Sequence, residues 1–375
     1  MKLLNVIFPT CLVVTAVFLL IPGILTSQNR ELSSGIIKIG LLIPDNKSIE
    51  AKFGAALAIQ EANERGGVNG QKFQLVTRSM EGPWGTGSKE AVSLIFDEEV
   101  WAIMGSHDGR NAHLVEQVTT KTRMVFLSAW ASDATLSQAF VPWYFSCVPN
   151  DNQQAFALTD EIYKKRKITK IATVSDTGYD SKLALESFLK EVKSKGKPDP
   201  SQLFYTTGSN EEMNMLIKRI HKSDIKGIVL LGMPSVSLRF IQKLRQNNMD
   251  QPIFGTLSLL GEDENIDLER GNYENMILIT SVNWSGLKGI SFKKEFQKKY
   301  NKLPGTVAAY AYDGMNAIIE AIRNTGLHKE KMQEAMSKVG HEGVTGPIQF
   351  DDKGNRLNSA QLVEITNGTS VKIVN

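Results

Sequence analysis

The sequence predicts an α/β protein of two doubly wound parallel-sheet lobes, each sheet covered by helices on both faces. Three observations predict it. Short β-branched, apolar runs alternate with longer stretches of helical spacing from residue 36 onward. The alternation restarts near residue 153, after an irregular stretch at 142–151. The chain has 375 residues of ordinary globular composition, 42% hydrophobic and 22% charged, which at roughly 150 residues per domain makes two domains.

The first strand is Ile36-Ile37-Lys38-Ile39-Gly40-Leu41-Leu42-Ile43, apolar along its length as a strand buried on both faces must be. A helix follows over 51–65 and stops at Gly66-Gly67. Next come a strand over 73–79, a helix over 88–98, a strand over 101–104, a helix over 111–122 and a strand over 124–127. The second round predicts helices over 153–163, 180–193, 211–221 and 235–246, with strands over 170–175, 203–206, 227–231, 252–254 and 276–281 between and after them. Helices over 291–300, 306–325 and 329–338 follow, and short strands over 348–350, 361–365 and 371–374 close the chain. Repeated strand-helix units of this kind wind right-handed into parallel sheets, whose ligands bind beyond the carboxyl ends of the strands. The stretches 142–151 and 282–287 read as crossovers between the two units.

Charge and motif content exclude several function classes. With 43 basic and 40 acidic residues the net charge is only +3, so nothing calls for nucleic acid. The two cysteines, Cys11 and Cys147, allow no disulfide framework and no cysteine-based zinc site. The run Gly82-Pro83-Trp84-Gly85-Thr86-Gly87-Ser88-Lys89 has the outline of a phosphate loop, but Ser precedes Lys, the reverse of what phosphate and Mg²⁺ binding require. There is no nucleophile elbow, no H-E-x-x-H and no dinucleotide fingerprint, and the five histidines form no metal-ligand pattern. Glu262-Asp263-Glu264 reads as a solvated face, and Lys164-Lys165-Arg166-Lys167 as cations complementing a helix end. No catalytic residue, metal or cofactor is expected.

Lys2 precedes an apolar run from Leu3 to Leu25, with no charge until Arg30. This is the pattern of an export signal, long enough to serve as an uncleaved anchor, and it puts the remainder outside the cytoplasm. Residues 1–27 are therefore expected to be a signal peptide or signal-anchor, the only contact with a membrane. The triplets at Asn46, Asn283 and Asn367 are glycosylation acceptors only in a host that glycosylates.

The run Ile37-Lys38-Ile39-Gly40-Leu41-Leu42-Ile43-Pro44, followed by Glu61-Ala62-Asn63 and Gly66-Gly67-Val68-Asn69-Gly70, resembles the type I periplasmic binding proteins. These are the leucine-binding solute receptors of branched-chain amino acid ABC transporters. Ala102-Ile103-Met104-Gly105, Ser175-Asp176 with Gly178-Tyr179, Tyr312-Asp313, and Gly343-Val344-Thr345-Gly346-Pro347-Ile348 continue the resemblance in family order to the C-terminus. It implies two lobes joined by a three-segment hinge near 148–152, 281–283 and 350–351. The first lobe would take 36–148 plus 283–349, the second 149–282 plus 350–375. It further implies a monomer that binds an amino acid or small carboxylate by hinge closure and delivers it to an ABC transporter permease at the outer face of the membrane; the alternative is a sensor signalling through a membrane partner.

Carried over residue by residue, the resemblance makes Phe53, Ser132 and Tyr179 ligand contacts. Gly109 and Arg110 occupy the place of the family's carboxylate-binding serine pair. Trp130 stands where a small residue is usual, Met233 where an aromatic is common, and Leu257 where an acid would meet the ligand's ammonium. Leucine cannot accept that hydrogen bond, and an unpartnered buried ammonium costs several kcal/mol. The ligand expected from this is a carboxylate with an apolar or aromatic body. Arg110, at the opening of a helix after a strand, is either a bidentate carboxylate grip or the surface partner of Asp108, itself the helix N-cap. Trp130 is either cleft wall or core. Asp45 and Trp84, in loops after neighbouring strands, are further cleft candidates, while Tyr310 and Tyr312 read as core.

Overall fold

The computed structural model describes residues 35–105, 108–138, 141–261, 274–366 and 369–372. The leader with Cys11, His107, the acidic run 262–264, Asn367 and the end of the last expected strand lie outside the described residues.

The first sheet is built from β1 (Ile36–Ile43), β2 (Lys72–Ser79), β3 (Ile103–Gly105), β4 (Phe126–Ser128) and β5 (Tyr144–Ser146), with α1 (Ile49–Glu64), α2 (Thr86–Phe96) and α3 (Gly109–Thr122) as crossovers. Its strand order is β2-β1-β3-β4-β5, and every pairing is parallel. β1 is an interior strand and nearly continuously buried, the reason its sequence does not alternate. The turn from α1 to β2 depends on Gly67. Its φ is +69°, and a Cβ there would lie 1.9 Å from the carbonyl oxygen of Gln71, so no larger residue fits.

The chain then runs through α4 (Asp151–Thr159), which continues as a wider π-type turn over Asp160–Lys165, into β6 (Ile171–Ser175), α5 (Tyr179–Ser194) and β7 (Ser201–Phe204). α6 (Asn210–Lys222), β8 (Gly227–Leu230), α7 (Pro234–Gln246), β9 (Ile253–Gly255) and β10 (Met276–Ile279) complete the parallel part of the second sheet. α8 (Leu287–Tyr300), α9 (Thr306–Asn324) and α10 (Met332–Ser337) follow, then β11 (His341–Gly343), β12 (Gly346–Ile348), β13 (Leu362–Thr366) and β14 (Thr369–Lys372). The second sheet has the order β14-β13-β10-β9-β8-β6-β7.

α8 and α9 return to the first sheet's side. Gly54 of α1 approaches α9 so closely that a Cβ would meet the Ala308 carbonyl oxygen at 2.2 Å, and Phe53 stacks on Tyr300 of α8 at 4.1 Å.

Three expectations need correction. The stretch 142–151 is not irregular throughout, since Tyr144–Ser146 pairs in parallel with β4 at the sheet edge. The strand expected at 348–350 is instead β12, hairpinned with β11 outside both main sheets. The last two strands are antiparallel additions to the second sheet, β13 on β10 and β14 on β13. β14 begins only three residues after β13 ends, too few for the helical crossover that a parallel pairing would need, so it returns antiparallel.

The chain passes between the two sheets three times, after β5, after β10 and between β12 and β13. Backbone bonds lace these passages together: Ser146 N–H to Gly354 at 2.9 Å, Thr280 N–H to Gln361 at 2.9 Å, and Asn283 N–H to Val344 at 3.1 Å. Arg356, 1% exposed and in the third passage, ties it to the first and to the β11–β12 hairpin. Its guanidinium donates to the carbonyls of Cys147 (2.9 Å), Thr345 (2.6 Å) and Pro347 (3.0 Å) and to Thr345 Oγ1 (2.8 Å). Thr345 in turn donates its hydroxyl to buried Asp313 at 2.5 Å.

Candidate functional site

The loops at the carboxyl ends of β3, β4 and β6 face one another where the two lobes meet. Asp108 caps α3 by accepting the Asn111 amide at 2.8 Å. The amide of Gly109, one residue on, is taken from the other lobe: it donates to Oδ1 of Asp180 in α5 at 2.9 Å. Beside it the hydroxyl of Tyr179 donates to Oδ2 of Asp133 at 3.2 Å, a second bond between the lobes. Arg110 completes the group, its guanidinium 4.7 Å from the ring centre of Trp84 and 5.9 Å from that of Tyr179.

Asp133 is the acceptor around which the first-lobe side is ordered. It caps the short 3₁₀ turn that follows it, its Oδ1 taking the Thr135 amide at 2.8 Å and hydroxyl at 2.7 Å. His113 lies against its Oδ2 at 3.0 Å and against Glu116 at 3.3 Å. These hydrogen bonds to Asp133 and Glu116 raise the His113 pKa to about 9, so the ring is imidazolium at neutral pH. For Asp133, burial pushes upward, but His113 and Thr135 outweigh it and hold the carboxyl below its usual range.

Two further carboxyls come from other elements. Asp151, in the first turn of α4, is 4% exposed, and its amide donates to the Ser132 carbonyl at 2.7 Å. Burial drives its pKa up to about 8, with Asp133 and Asp180 adding repulsion and the Ser132 hydroxyl opposing. Asp180 is raised to about 6, again mainly by burial, with Asp108, Asp133 and Asp176 repelling it and the Gly109 amide pulling the other way.

Asp176, after β6, organises the second-lobe loops. Its carboxylate accepts the amides of Gly178 (2.7 Å) and Met233 (2.9 Å) and the hydroxyl of Ser181 (2.9 Å).

The structure brings Gly109, Arg110, Tyr179 and Trp84 together, with Ser132 held against Asp151. Met233, 55% exposed, opens α7 from the loop anchored on Asp176.

The other candidates are spoken for elsewhere. Phe53 lies in the aromatic packing of α1 on α8. Trp130 is 9% exposed, in the core, edge-on to buried Tyr310. Leu257 is 1% exposed in the core, and its amide is held by Gln154 at 2.8 Å. Asp45 closes its own turn by accepting the Lys47 and Ser48 amides at 2.7 and 2.9 Å. Tyr310 is fully buried, and Tyr312 donates to Glu61 at 2.7 Å.

Asp133, Asp151 and Asp180 were not among the candidates read from the sequence. Each begins a helix or 3₁₀ turn, and a cap or first-turn acid is the ordinary role for aspartate there.

Among the described residues no group of three or more potential ligands could hold a metal ion, and no helix is long and apolar enough to cross a membrane.

The family model described as periplasmic binding protein matches residues 37–369. Among solved structures, the branched-chain amino acid transporter substrate-binding protein LivJ of Streptococcus pneumoniae, in complex with isoleucine, superposes with a TM-score of 0.78 at 21% identity, over 90% of this chain and 100% of that one. A solute-binding protein of an R. palustris ABC transporter, in complex with benzoate, superposes at 0.77 with 17% identity, over 90% and 96%. At such identities the likeness is one of fold. In sequence the chain is 24% identical to the Leu/Ile/Val-binding protein homolog 7 of Brucella melitensis, covering 87% of each. It is 21% identical to glutamate receptor 3.4 of Arabidopsis thaliana, over 86% of this chain, and spans only 38% of that receptor's length. The chain belongs to the periplasmic binding protein family, with the two-lobed fold of its type I members.

Proposed function

We propose that the protein is an extracytoplasmic solute-binding component of an ABC importer, closing its two lobes over an amino acid or a related small carboxylate. The observation that carries this reading is the polar surface shared by both lobes: Arg110 and the Gly109 amide on one side, Tyr179 and Asp180 on the other. A solute bridging them binds the closed arrangement better than the open one, and that differential affinity drives closure. The lobes would divide at about residues 148, 283 and 350, near the three passages that backbone bonds and Arg356 tie together.

Within this reading Arg110, stacked on Trp84 and without a carboxylate partner among the described residues, grips the solute's carboxylate at the α3 terminus. Ser132, Tyr179 and Met233 line the remainder. Leu257 does remove the family's acid, yet Asp133 and Asp180 offer carboxylates of their own, so α-amino acids stand beside aromatic acids as candidates. The ligands of the similar structures, isoleucine and benzoate, are both carboxylates. The protein works as a monomer, without cofactor or chemical step, and passes its solute to a permease.

Thermal-shift screening of amino acids against aliphatic and aromatic carboxylates tests this. Stabilisation by at least one carboxylate, lost in Arg110→Ala, is expected; no stabilisation by any of them overturns it. The similarity to glutamate receptors favours a second reading, a sensor that passes closure to a membrane partner. Co-purification with a permease supports the first reading, and with a signalling protein the second.

A further inference from the structure

Around Gly109 two carboxylates from opposite lobes converge. A Cβ built on this glycine would lie 2.8 Å from Asp133 Oδ2 and 2.9 Å from Asp180 Oδ1. Asp133 belongs to the first lobe and is engaged by His113, Thr135 and Tyr179. Asp180 belongs to the second and has the Gly109 amide as its one hydrogen-bond donor among the described residues.

The charged groups around Asp180 are predominantly acidic. From α3 come Asp108 and, stacked on Tyr179, Arg110; from the segment after β4 comes Asp133, with His113 behind it; from the end of β6 comes Asp176; and from α4 comes Asp151. Separating the lobes would return Asp180 to water and away from Asp133 and Asp108. Bringing them together forces a carboxylate into a half-buried, acid-lined site served by a single amide.

We infer that closure of the lobes is proton-linked, with Asp180 taking up the proton as the second lobe carries it against Gly109 and Asp133. The inference rests on the reading of the protein as a hinged binder. The direction of the titration agrees: the Asp180 carboxyl in this arrangement is raised to about 6, from an ordinary 3.8. A group that binds its proton more tightly in the closed form favours closure as pH falls toward that value. Asp151 is also raised, chiefly by its own burial in α4, and is common to both proteins compared below. The His113 imidazolium is constant across this range, because its pKa is about 9.

The test compares wild type with Asp180→Asn, whose neutral amide keeps the size of the side chain. L-isoleucine and benzoate are the probes, titrated calorimetrically from about pH 7.5 to about pH 5.5 in buffers of differing ionisation enthalpy, alongside scattering of the protein alone. Wild-type affinity for either probe should rise roughly fourfold over that range through the component centred near pH 6, with proton uptake on binding. Asp180→Asn should bind several-fold tighter at the upper pH and lack that component. Superimposable pH profiles for the two proteins overturn the inference.

If neither probe binds, the choice of ligand fails while the scattering still decides. A radius of gyration that contracts with falling pH in wild type alone upholds proton-linked closure. An equal or absent response in both proteins sinks it.

Discussion

Tyr179 Oη and Asp133 Oδ2 lie 3.2 Å apart, and the bond they form joins the two lobes. Burial and the nearby Asp133 charge raise the Tyr179 pKa, so the hydroxyl stays protonated and donates. Its acceptor is ionised, which strengthens the bond, but the tyrosine is 39% exposed, which weakens it. A contribution of about 1 kcal/mol is therefore appropriate, equivalent to about fivefold in affinity. Tyr179→Phe keeps the ring against Arg110 and should weaken solute binding by that factor while leaving the unfolding temperature unchanged. A loss of binding confined to Tyr179→Ala would mean that the ring, not the hydroxyl, does the work.

Asp151 makes the opposite contribution to stability. Its pKa is about 8 in the folded protein against an ordinary 3.8, because the carboxyl is buried near Asp133 and Asp180. The folded state thus binds a proton that the unfolded state releases, and stability declines as pH rises from near 4 through about 8. Asp151→Asn removes that slope. The variant should melt higher than wild type at about pH 8.5, with the advantage shrinking toward about pH 4.5. Melting curves at the two pH values decide it. A variant destabilised equally at both would mean that Asp151 is held ionised by a partner.

The alternation of strand and helix was legible because parallel strands buried on both faces must be apolar throughout, as Ile36–Ile43 is. Tyr144–Ser146 was not, since three residues between the Trp143 and Cys147 positions carry no period. The cleft was half legible. Gly109, Arg110 and Tyr179 follow strand ends, where α/β folds bind ligands, and the structure gathers them. Asp133, Asp151 and Asp180 were hidden because each has a sufficient local explanation at the start of a helical turn, and only tertiary structure brings the three together. Leu257 shows what position alone leaves out: its side chain lies in the core and its amide is held by Gln154, both set by tertiary packing.

The hinge network yields a prediction about rigidity. Arg356 is buried with four donor contacts to three backbone carbonyls and Thr345, and Thr345 links it to Asp313. Arg356→Met leaves those acceptors without donors and takes the guanidinium away from buried Asp313, a loss of about 3–5 kcal/mol. Asp313→Asn should also destabilise, but the double variant should lose less than the two single losses combined, because each partner's burial is costly mainly when the other is absent. Denaturant melts of the four proteins measure the coupling. Simple additivity would dissolve the network into unrelated bonds.

Gly109 is confined from both lobes. As the first residue of α3 it is a poor helix former, and alanine would favour the helix by up to about 1 kcal/mol. The same methyl group would stand 2.8 Å from Cβ and Oδ2 of buried Asp133, inside the first lobe, and 2.9 Å from Asp180 Oδ1 of the second, closer than such atoms tolerate, so Asp133 must shift and the lobes must part to admit it. Gly109→Ala should therefore melt lower than wild type and bind solute at least tenfold more weakly, with a larger radius of gyration in the presence of ligand. The substitution also accounts for the absence of a serine here: in this chain the space such a side chain would need is already filled by two carboxylates, one from each lobe. Unchanged affinity in Gly109→Ala would mean that the α3–α5 contact is no part of the closed, solute-holding state.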